Sequence, residues 1–447
     1  MGTIKFLSIF VIIFSAVFSI GYSSESKNQD FSSFDLKNGM KVVVVDKNSL
    51  PLVNIVLAVN AGSKDETTDN NGTLHLLEHL LLFRREFSRD IRAHGGYFNG
   101  HTDRDLAMFE ISLPAKDLEF GLTVLRKMIF DFHISTDALE KEKKVIEREF
   151  KQIQDDPLRL GRSLALRHLF TGHPYGLPVS GDLNIIKKVR STDIESFYKK
   201  YFYPGNCALA IVGSVHPPDA EALVRRLMEK IPSSEHKENA VPPQPKLKKH
   251  IEVEHLMDVE KTHMIFAYPA PRYKHDDQMV VRVLSQILGA GVNPLLSGAM
   301  RGRRRLVDKI SMQYIPMLHG GAVLVHLVLD RKDMNLARTR LRKFFQQITR
   351  FRFSPQDYLP GQRRDVFDYV TTAKNQIKIG SEEFLERGLN HAAAFTRFLL
   401  LNKKAEKESY RKNQLEKVNS SQLRKSASEY FSGKKYVLIK IFPKEES

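Results

Sequence analysis

Two histidines four positions apart, His75 and His79, enclose a glutamate, Glu78, and this spacing is the strongest chemical signal in the sequence. On a helix of 3.6 residues per turn, all three side chains lie on one face. Two neutral imidazoles can therefore bind Zn²⁺, while a carboxylate one turn from His75 can take a proton from a water on that ion. The spacing predicts the apparatus for hydrolysing a peptide bond.

Catalytic zinc needs a third protein ligand and an open position for water. Residues 137–150 are predicted to form a helix, in which Glu142 and Glu149 are seven residues apart and share the apolar face. Glu147 lies about 160° from Glu149 around this helix and is predicted to face solvent. We therefore predict that Glu149 completes the site for one Zn²⁺ per chain and that Glu142 orients a histidine ligand.

Each of these observations has an ordinary alternative. In a chain with 16 histidines, the His-x-x-Glu-His spacing can arise by chance, and an isolated histidine is more often packed than ligating. Glu142 and Glu149, taken alone, would be surface carboxylates paired with neighbouring basic side chains. The combination of the two segments favours a metal site.

The length of 447 residues exceeds what one hydrophobic core usually serves and predicts two domains. Residues 233–250 are polar, contain three prolines and lack periodicity, so they are predicted to be a linker. The linker separates an N-terminal domain, residues 30–232, from a C-terminal domain, residues 251–445. Strands and helices are mixed in both parts, which predicts an α+β fold and suggests a diverged duplication.

The N-terminus has the features of an export signal, because Lys5 is followed by an apolar run, residues 6–20, and then by small residues. The run is short for a membrane span, so we predict that residues 1–24 are removed and that no stable membrane span remains; retention as an anchor is the alternative. The predicted location is periplasmic or secreted.

Composition limits the other functions. The net charge of +17 comes from dispersed basic residues without interleaved aromatic residues, and an exported protein seldom meets nucleic acid, so no nucleic-acid partner is expected. With a single cysteine, Cys207, the chain can form neither an internal disulfide nor a cysteine zinc cluster. Cys207 is predicted to be a small buried side chain.

Two segments after the histidine motif bear on substrate binding. Residues 95–100 contain three glycines and are predicted to form a turn. Residues 105–113 alternate, so that Ala107, Phe109 and Ile111 share a face, and are predicted to form a strand.

Together these motifs resemble the pitrilysin and insulinase group of inverted-motif zinc metallopeptidases, which includes half-length bacterial members similar to the mitochondrial processing peptidase. The resemblance also covers residues 95–102, 144–149, 173–176 and 201–213, in the family's order. It implies two structurally similar domains, each a mostly antiparallel sheet with helices packed on one face, which form a clamshell over a chamber.

Carried onto this sequence, the resemblance implies that His75, His79 and Glu149 bind zinc and that Glu78 is the general base. It also implies that Asn99 contacts the backbone of a peptide substrate. The strand at residues 105–113 resembles the sheet edge on which an extended peptide pairs, a mode that recognises backbone more than side chains.

The substrate-binding segment of the second half departs from the family pattern. Arg301 matches a substrate-binding arginine, although it could be an ordinary surface arginine. The tyrosine expected seven residues later is Asp308, and Tyr314 lies six residues beyond it. An aspartate cannot donate a hydrogen bond to a developing negative charge, so either hydrolysis is slow or uses a substitute residue, or a homologous partner completes the site.

The leading hypothesis is therefore an exported zinc-dependent endopeptidase that hydrolyses extended or unfolded peptides in a closed chamber, as a homodimer or with a homologous partner subunit. The alternative is a non-hydrolytic structural or chaperone-like subunit of a heterodimer. Retention of the zinc-site residues favours the first hypothesis, because the loss of metal ligands usually accompanies the second.

Overall fold

The computed structural model describes residues 31–82, 84–234, 240–291, 294–301, 305–358, 367–401 and 408–444. The predicted signal segment, residues 1–24, lies outside the described residues, as does part of the predicted linker. The described chain is of the predicted α+β class and has two structurally similar halves, each with its own sheet.

The first sheet is formed by residues before the predicted linker. Within the described residues its strands are β1 (Phe31–Asp35), β2 (Lys41–Asp46), β3 (Leu52–Val59), β4 (Tyr97–Thr102), β5 (Ala107–Pro114) and β6 (Cys207–Gly213). Their order is β1-β2-β6-β3-β5-β4, and neighbours are antiparallel except for β2 and β6. The apolar runs of β2 and β6 are buried on both faces, which explains why they do not alternate with polar residues.

The second sheet repeats this design. Its strands, among the described residues, are β7 (Ile251–Met257), β8 (Thr262–Ala270), β9 (Lys309–Met317), β10 (Gly320–Leu329) and β11 (Val437–Pro443). Their order is β7-β11-β8-β10-β9, and here the parallel pair is β7 and β11.

The edge of the first sheet differs from the prediction. Strand β5 lies between β3 and β4, so the edge strand is β4 rather than residues 105–113. The predicted turn is confined to the residues before β4, where Gly95 has a φ of 72°. The prediction is wrong because β4 is polar and contains Gly100, and therefore lacks the sequence pattern of a strand; pairing with β5 determines its conformation.

Most helices of the first half cover one face of the first sheet. They are α1 (Thr73–Leu82), α2 (Arg85–Ala93), α3 (Leu118–Phe130), α4 (Thr136–Gln154), α5 (Pro157–Leu169), α6 (Leu183–Ile186), α7 (Ser191–Tyr201) and α8 (Pro217–Met228). All but α5 contribute side chains to a core that also contains Ala107, Phe109 and Ile111 of β5. The predicted common face of this strand is therefore confirmed.

The second half has an equivalent set of helices and its own core. They are α9 (Gln278–Ser285), α10 (Leu295–Arg301), α11 (Met334–Ile348), α12 (Tyr369–Glu386), α13 (Gly388–Leu401), α14 (Glu408–Lys417) and α15 (Ser420–Tyr430). By length and composition alone, the stretch Gln278–Arg301 could cross a membrane. Its buried side chains, among them Val281 and Leu284, lie in the second core, which accounts for its apolar composition.

The two halves exchange one helix each. Helix α5 of the first half packs on β8 and β11 of the second sheet, with Leu166 in a core shared with Ile439. Helix α13 of the second half packs on β3 and β6, with Ala392 in a core shared with Val56. Each sheet is thus covered on both faces. The domain boundary at residues 233–250 stays a prediction, and a cut there would separate each exchanged helix from the sheet that it covers.

Candidate metal centre

The buried carboxylate of Glu66 lies at the N-terminus of α1, the helix that carries the histidine motif. Glu66 accepts hydrogen bonds from the backbone N–H groups of Gly72 (3.1 Å) and Leu74 (2.9 Å) and from the side chain of Asn71 (2.8 Å). These contacts satisfy donors that a helix N-terminus leaves unpaired. Burial raises the pKa of Glu66 to about 7. Sequence reasoning missed Glu66, because it precedes the helix by seven residues and only the loop conformation brings it back.

The structure brings His75, His79 and Glu149 together. Glu149 Oε2 lies 3.7 Å from His75 Nε2 and 3.5 Å from His79 Nε2, and the two imidazole planes are nearly perpendicular. One ligand atom from each residue can be chosen so that all three lie within 4.8 Å of one another. Helices α1 and α4 are in contact, which places residues seventy positions apart at one point.

The donor set fits zinc. Two ligands about 2.1 Å from one tetrahedral ion lie about 3.4 Å apart, close to the measured separations between Glu149 and the two histidines. Two imidazoles and one carboxylate form a set that catalytic zinc sites use, with the fourth position available to water. The cluster therefore has a composition that suits zinc, and Glu149 lies near the expected ligand separation from each histidine.

Glu142 lies behind His79. Its Oε2 atom is 3.3 Å from His79 Nδ1, and both side chains are almost fully buried. A carboxylate at this distance fixes the ring with Nδ1–H towards Glu142 and Nε2 towards Glu149. Burial alone would lower the pKa of His79, but hydrogen bonds to Glu142 and Glu149 raise it to about 9.

The other two members of the cluster have perturbed pKa values with different causes. Burial, together with the charge of His79, lowers the pKa of His75 to about 4. For Glu149, burial is outweighed by the hydrogen bond and charge of His79, so its pKa is lowered. A neutral His75 and an ionised Glu149 are the forms that bind a metal ion, whereas His79 must release its Nε2 proton to bind one.

Glu78 lies on the same helix as the two histidines and is 6% exposed. The hydroxyl of Thr102, the last residue of β4, donates a 2.6 Å hydrogen bond to Glu78 Oε2. Burial raises the pKa of Glu78 to about 7, although the charge of His79 and the bond from Thr102 oppose the shift. A carboxylate with a pKa near neutrality can both accept and return a proton.

Helix α4 orients its carboxylates as the periodicity predicts. Glu142 is buried on the inner face. Glu149 and Glu147 are similarly exposed, at 32% and 37%, but Glu149 lies against the two histidines whereas Glu147 lies 3.6 Å from the exposed Lys187. Ser135 caps the helix by accepting a hydrogen bond from the backbone N–H of Ala138.

Asn99 lies in the edge strand β4, directly opposite Glu110 of β5, and is half-buried. Opposed residues of antiparallel strands share a face, so Asn99 and the buried Glu110 lie on the same side of the sheet. Thr102 is three positions along and opposes Ala107, on the other face. The strand register therefore places Asn99 and the partner of Glu78 on opposite faces of the same edge strand.

Arg301 ends helix α10, in the second half, and its guanidinium donates to the backbone carbonyl of Asp308. The Asp308 carboxylate lies 3.4 Å from Lys261 Nζ. Tyr314 is buried, and its hydroxyl donates a 2.6 Å hydrogen bond to the carbonyl of Pro271. Within this chain, the Tyr314 hydroxyl therefore serves the packing of the second half rather than the metal cluster.

Comparisons with known proteins identify the family of the chain. One family model, described as Insulinase (Peptidase family M16), matches residues 41–182, and a second, described as Peptidase M16 inactive domain, matches residues 188–359. Together they cover more than half of the chain.

Individual relatives are distant in sequence but close in fold. The zinc protease PqqE of Helicobacter pylori is 25% identical over 288 residues, which are 62% of this chain and 65%, just under two thirds, of that protein. A crystal structure of a protease from Helicobacter pylori has a TM-score of 0.81 at 20% identity and covers 93% of this chain and 100% of its own. A chain of complex III2 from Candida albicans has a TM-score of 0.76 at 15% identity, over 92% and 95%. The chain thus belongs to peptidase family M16, as the sequence resemblance implies.

Proposed function

We propose that this protein is an exported zinc-dependent endopeptidase in which Glu78 is the general base. The observation that carries the proposal is the convergence of His75, His79 and Glu149 beside the carboxylate of Glu78. When bound, zinc would lower the pKa of a coordinated water to about 7 and polarise the scissile carbonyl.

The residues of the chain have separate roles in this reaction. His75, His79 and Glu149 would hold the ion, and Glu142 would keep Nδ1–H of His79 on its own side, so that Nε2 of this ring could bind zinc after losing its proton. Thr102 fixes Oε2 of Glu78, so the carboxyl group keeps one orientation while it accepts a proton from the attacking water. Glu78 then passes this proton to the leaving amine.

The substrate would be an extended or unfolded peptide. Strand β4 is the sheet edge nearest α1, and a free edge can pair with any extended backbone. Because such pairing requires an unfolded segment, folded proteins would be excluded, and Asn99 would contact the substrate backbone. Closure of a chamber around the peptide would exclude them further.

A second function is favoured by one observation. Arg301 and Tyr314 both bond to backbone carbonyls of the second half, and Asp308 cannot act as a donor. A homologous partner subunit could supply the missing groups, or the chain could be a structural subunit without hydrolysis, as the similarity to a chain of complex III2 allows. Co-purification from the native host distinguishes these cases: recovery of a homologous chain supports the partner, and a fully active homodimer removes it.

Glu78→Gln tests the proposed chemistry. The amide keeps the shape and the hydrogen bond from Thr102 but cannot accept the proton, so we expect at least about a 10²-fold lower kcat with zinc content unchanged. Glu86→Gln, an exposed glutamate of α2, is the matched control and should retain full turnover. Turnover of a quenched-fluorescence peptide mixture by Glu78→Gln at the wild-type rate would refute the mechanism.

A further inference from the structure

The turn that joins β4 to β5, residues 103–106, is held by the second half of the chain. Asp103 Oδ1 accepts hydrogen bonds from the backbone N–H groups of Asp105 (2.6 Å) and Leu106 (2.8 Å), which shapes the turn. Asp103 Oδ2 forms a 2.5 Å ion pair with Arg397 of α13, whose side chain is only 10% exposed. The guanidinium thus bonds to the same carboxylate that organises the turn.

A second contact holds the other end of this turn. The buried carboxylate of Asp105 accepts hydrogen bonds from the Tyr175 hydroxyl and from the backbone N–H of Leu318 (3.1 Å), in the β9–β10 turn. The Tyr175 hydroxyl in turn accepts a hydrogen bond from the backbone N–H of His319 (3.0 Å). Two separate segments of the second half, α13 and the β9–β10 turn, therefore reach residues 103–105.

The turn lies one residue from the partner of the catalytic base. Thr102 donates to Glu78 Oε2 at 2.6 Å, and Asp103 is the next residue along the chain. A displacement of the turn can reach Thr102 through a single peptide unit, because Thr102 is the last residue of β4 and Asp103 the first residue of the turn. Misplacement of a catalytic group by about 1 Å can reduce a rate about 10²-fold.

We infer that Asp103, Asp105, Tyr175 and Arg397 form an inter-half latch through which the second half positions Thr102 against Glu78. Arg397 is a positioning residue that acts through Asp103 and Thr102 without touching substrate. This inference rests on the proposed peptidase function for its kinetic consequence, whereas the contact itself does not. The second half, which carries no ligand of the candidate zinc site, thereby controls the geometry of the base.

Four variants separate the latch from a general effect on folding. Arg397→Met removes the ion pair, and Arg397→Lys restores a positive charge at the same place. Asp103→Asn keeps the Oδ1 acceptor for the turn while removing the charge. This variant replaces Arg397→Met in the test if Arg397→Met does not fold. Arg424→Met, which removes a partly buried pair with Asp357 inside the second half, is the matched control.

The kinetic test uses a quenched-fluorescence peptide mixture and the zinc-loaded protein. We expect Arg397→Met to lower kcat about tenfold or more with KM unchanged, Arg397→Lys to recover most of the loss, and Arg424→Met to match the wild type. Thr102→Val should lower kcat similarly, and adding Arg397→Met to it should cause little further loss, since both act on one contact. A raised KM with unchanged kcat, or losses that multiply in the double variant, would overturn the latch.

A readout without zinc or substrate keeps this inference separate from the proposed function. In the metal-free protein, hydrogen exchange of the backbone amides of residues 102–108 should be faster in Arg397→Met and Asp103→Asn than in the wild type or Arg424→Met. Unchanged exchange in folded variants refutes the latch even if peptides are cleaved. A zinc-loaded wild type that cleaves no peptide refutes the proposed function, and the exchange result still decides the latch.

Discussion

The helices that follow β3 and β8 occupy corresponding places in the two halves, but they differ in the side chains that they carry. Helix α1 carries His75, Glu78 and His79, whose pKa values are shifted by burial and, for His79, by hydrogen bonds to Glu142 and Glu149. Helix α9 presents apolar side chains, such as Val281 and Leu284, to its own core. The same arrangement of strands and helices thus supports a candidate metal centre in one half and plain packing in the other, so function must be argued from the site.

The difference extends to what each half supplies to the other. Helix α5 of the first half covers the second sheet with apolar side chains. Helix α13 of the second half covers the first sheet and also places Arg397 at the turn beside the candidate metal centre. The second half, whose described residues include no ligand of the candidate zinc site, therefore contributes to both the stability and the geometry of the first half.

Metal removal should give the largest contrast between the halves. A strong zinc chelator is expected to abolish peptide turnover, and added zinc should restore it, because hydrolysis depends on the ion. Far-ultraviolet circular dichroism should remain unchanged, since both sheet cores are built from apolar side chains. Turnover that survives complete removal of zinc would contradict the account.

Matched core truncations test whether the halves unfold as one unit. Leu57 of β3 and Leu327 of β10 are fully buried, one in each main core. Leu57→Ala and Leu327→Ala should each cost about 2 to 5 kcal/mol of unfolding free energy. Because the exchanged helices tie the sheets together, we expect both variants to shift one common transition in urea. Two transitions, each sensitive to one variant, would show that the halves unfold independently.

A pair of histidines in the second half should contribute to the acid sensitivity of the protein. His326 Nε2 lies 3.0 Å from His263 Nδ1, and Asp156 and Lys309 also face the pair. Burial, with the charge of His263, lowers the pKa of His326 to about 4. A base with a lowered folded pKa contributes stability above its ordinary pKa of about 6.5, and this stability is lost as the pH falls towards 4.

As the pH falls from 6.5 to 4, we expect the unfolding free energy to decrease by up to about 3 kcal/mol because of this histidine. The variant His326→Gln should flatten the pH dependence over that window, as measured by urea unfolding at pH 7 and pH 5. If both proteins lose the same stability on acidification, the pair is not the source.

Helix caps provide the smallest and most closely matched comparison. Ser135 accepts a hydrogen bond from the backbone of Ala138 at the start of α4, and Asn419 does the same for Gln422 at the start of α15. Ser135→Ala and Asn419→Ala should each lower the unfolding free energy by about 1 kcal/mol. A much larger effect of Ser135→Ala than of Asn419→Ala would show that the two caps do not contribute equally to stability.

The parts of the site that follow helical periodicity could be predicted from the sequence. The spacing of His75, Glu78 and His79 fixes their common face, and the same rule separates Glu142 and Glu149 from Glu147. Both helices have strong local signals, because α1 is rich in leucine and α4 is amphipathic. Cys207 is buried, as predicted, and burial raises the pKa of its thiol.

The features that depend on tertiary contacts could not be predicted in this way. Strand β4 has no apolar alternation and exists through pairing with β5, so its residues were assigned to a turn and the edge to β5. Thr102 lies in a segment that carries the resemblance, but no local pattern gives its contact with Glu78 or the contact of Arg397 with Asp103, since these partners lie 24 and 294 residues away in the chain. The exchange of α5 and α13 likewise follows from packing across the halves rather than from local pattern.

The zinc content of three proteins purified side by side tests the central claim most directly. Wild type and Glu147→Gln should each contain about one zinc per chain by elemental analysis, whereas Glu149→Gln, altered two residues along the same helix, should contain far less. Equal zinc content in Glu149→Gln and wild type, or no zinc in any of the three, would contradict the metal centre formed by His75, His79 and Glu149.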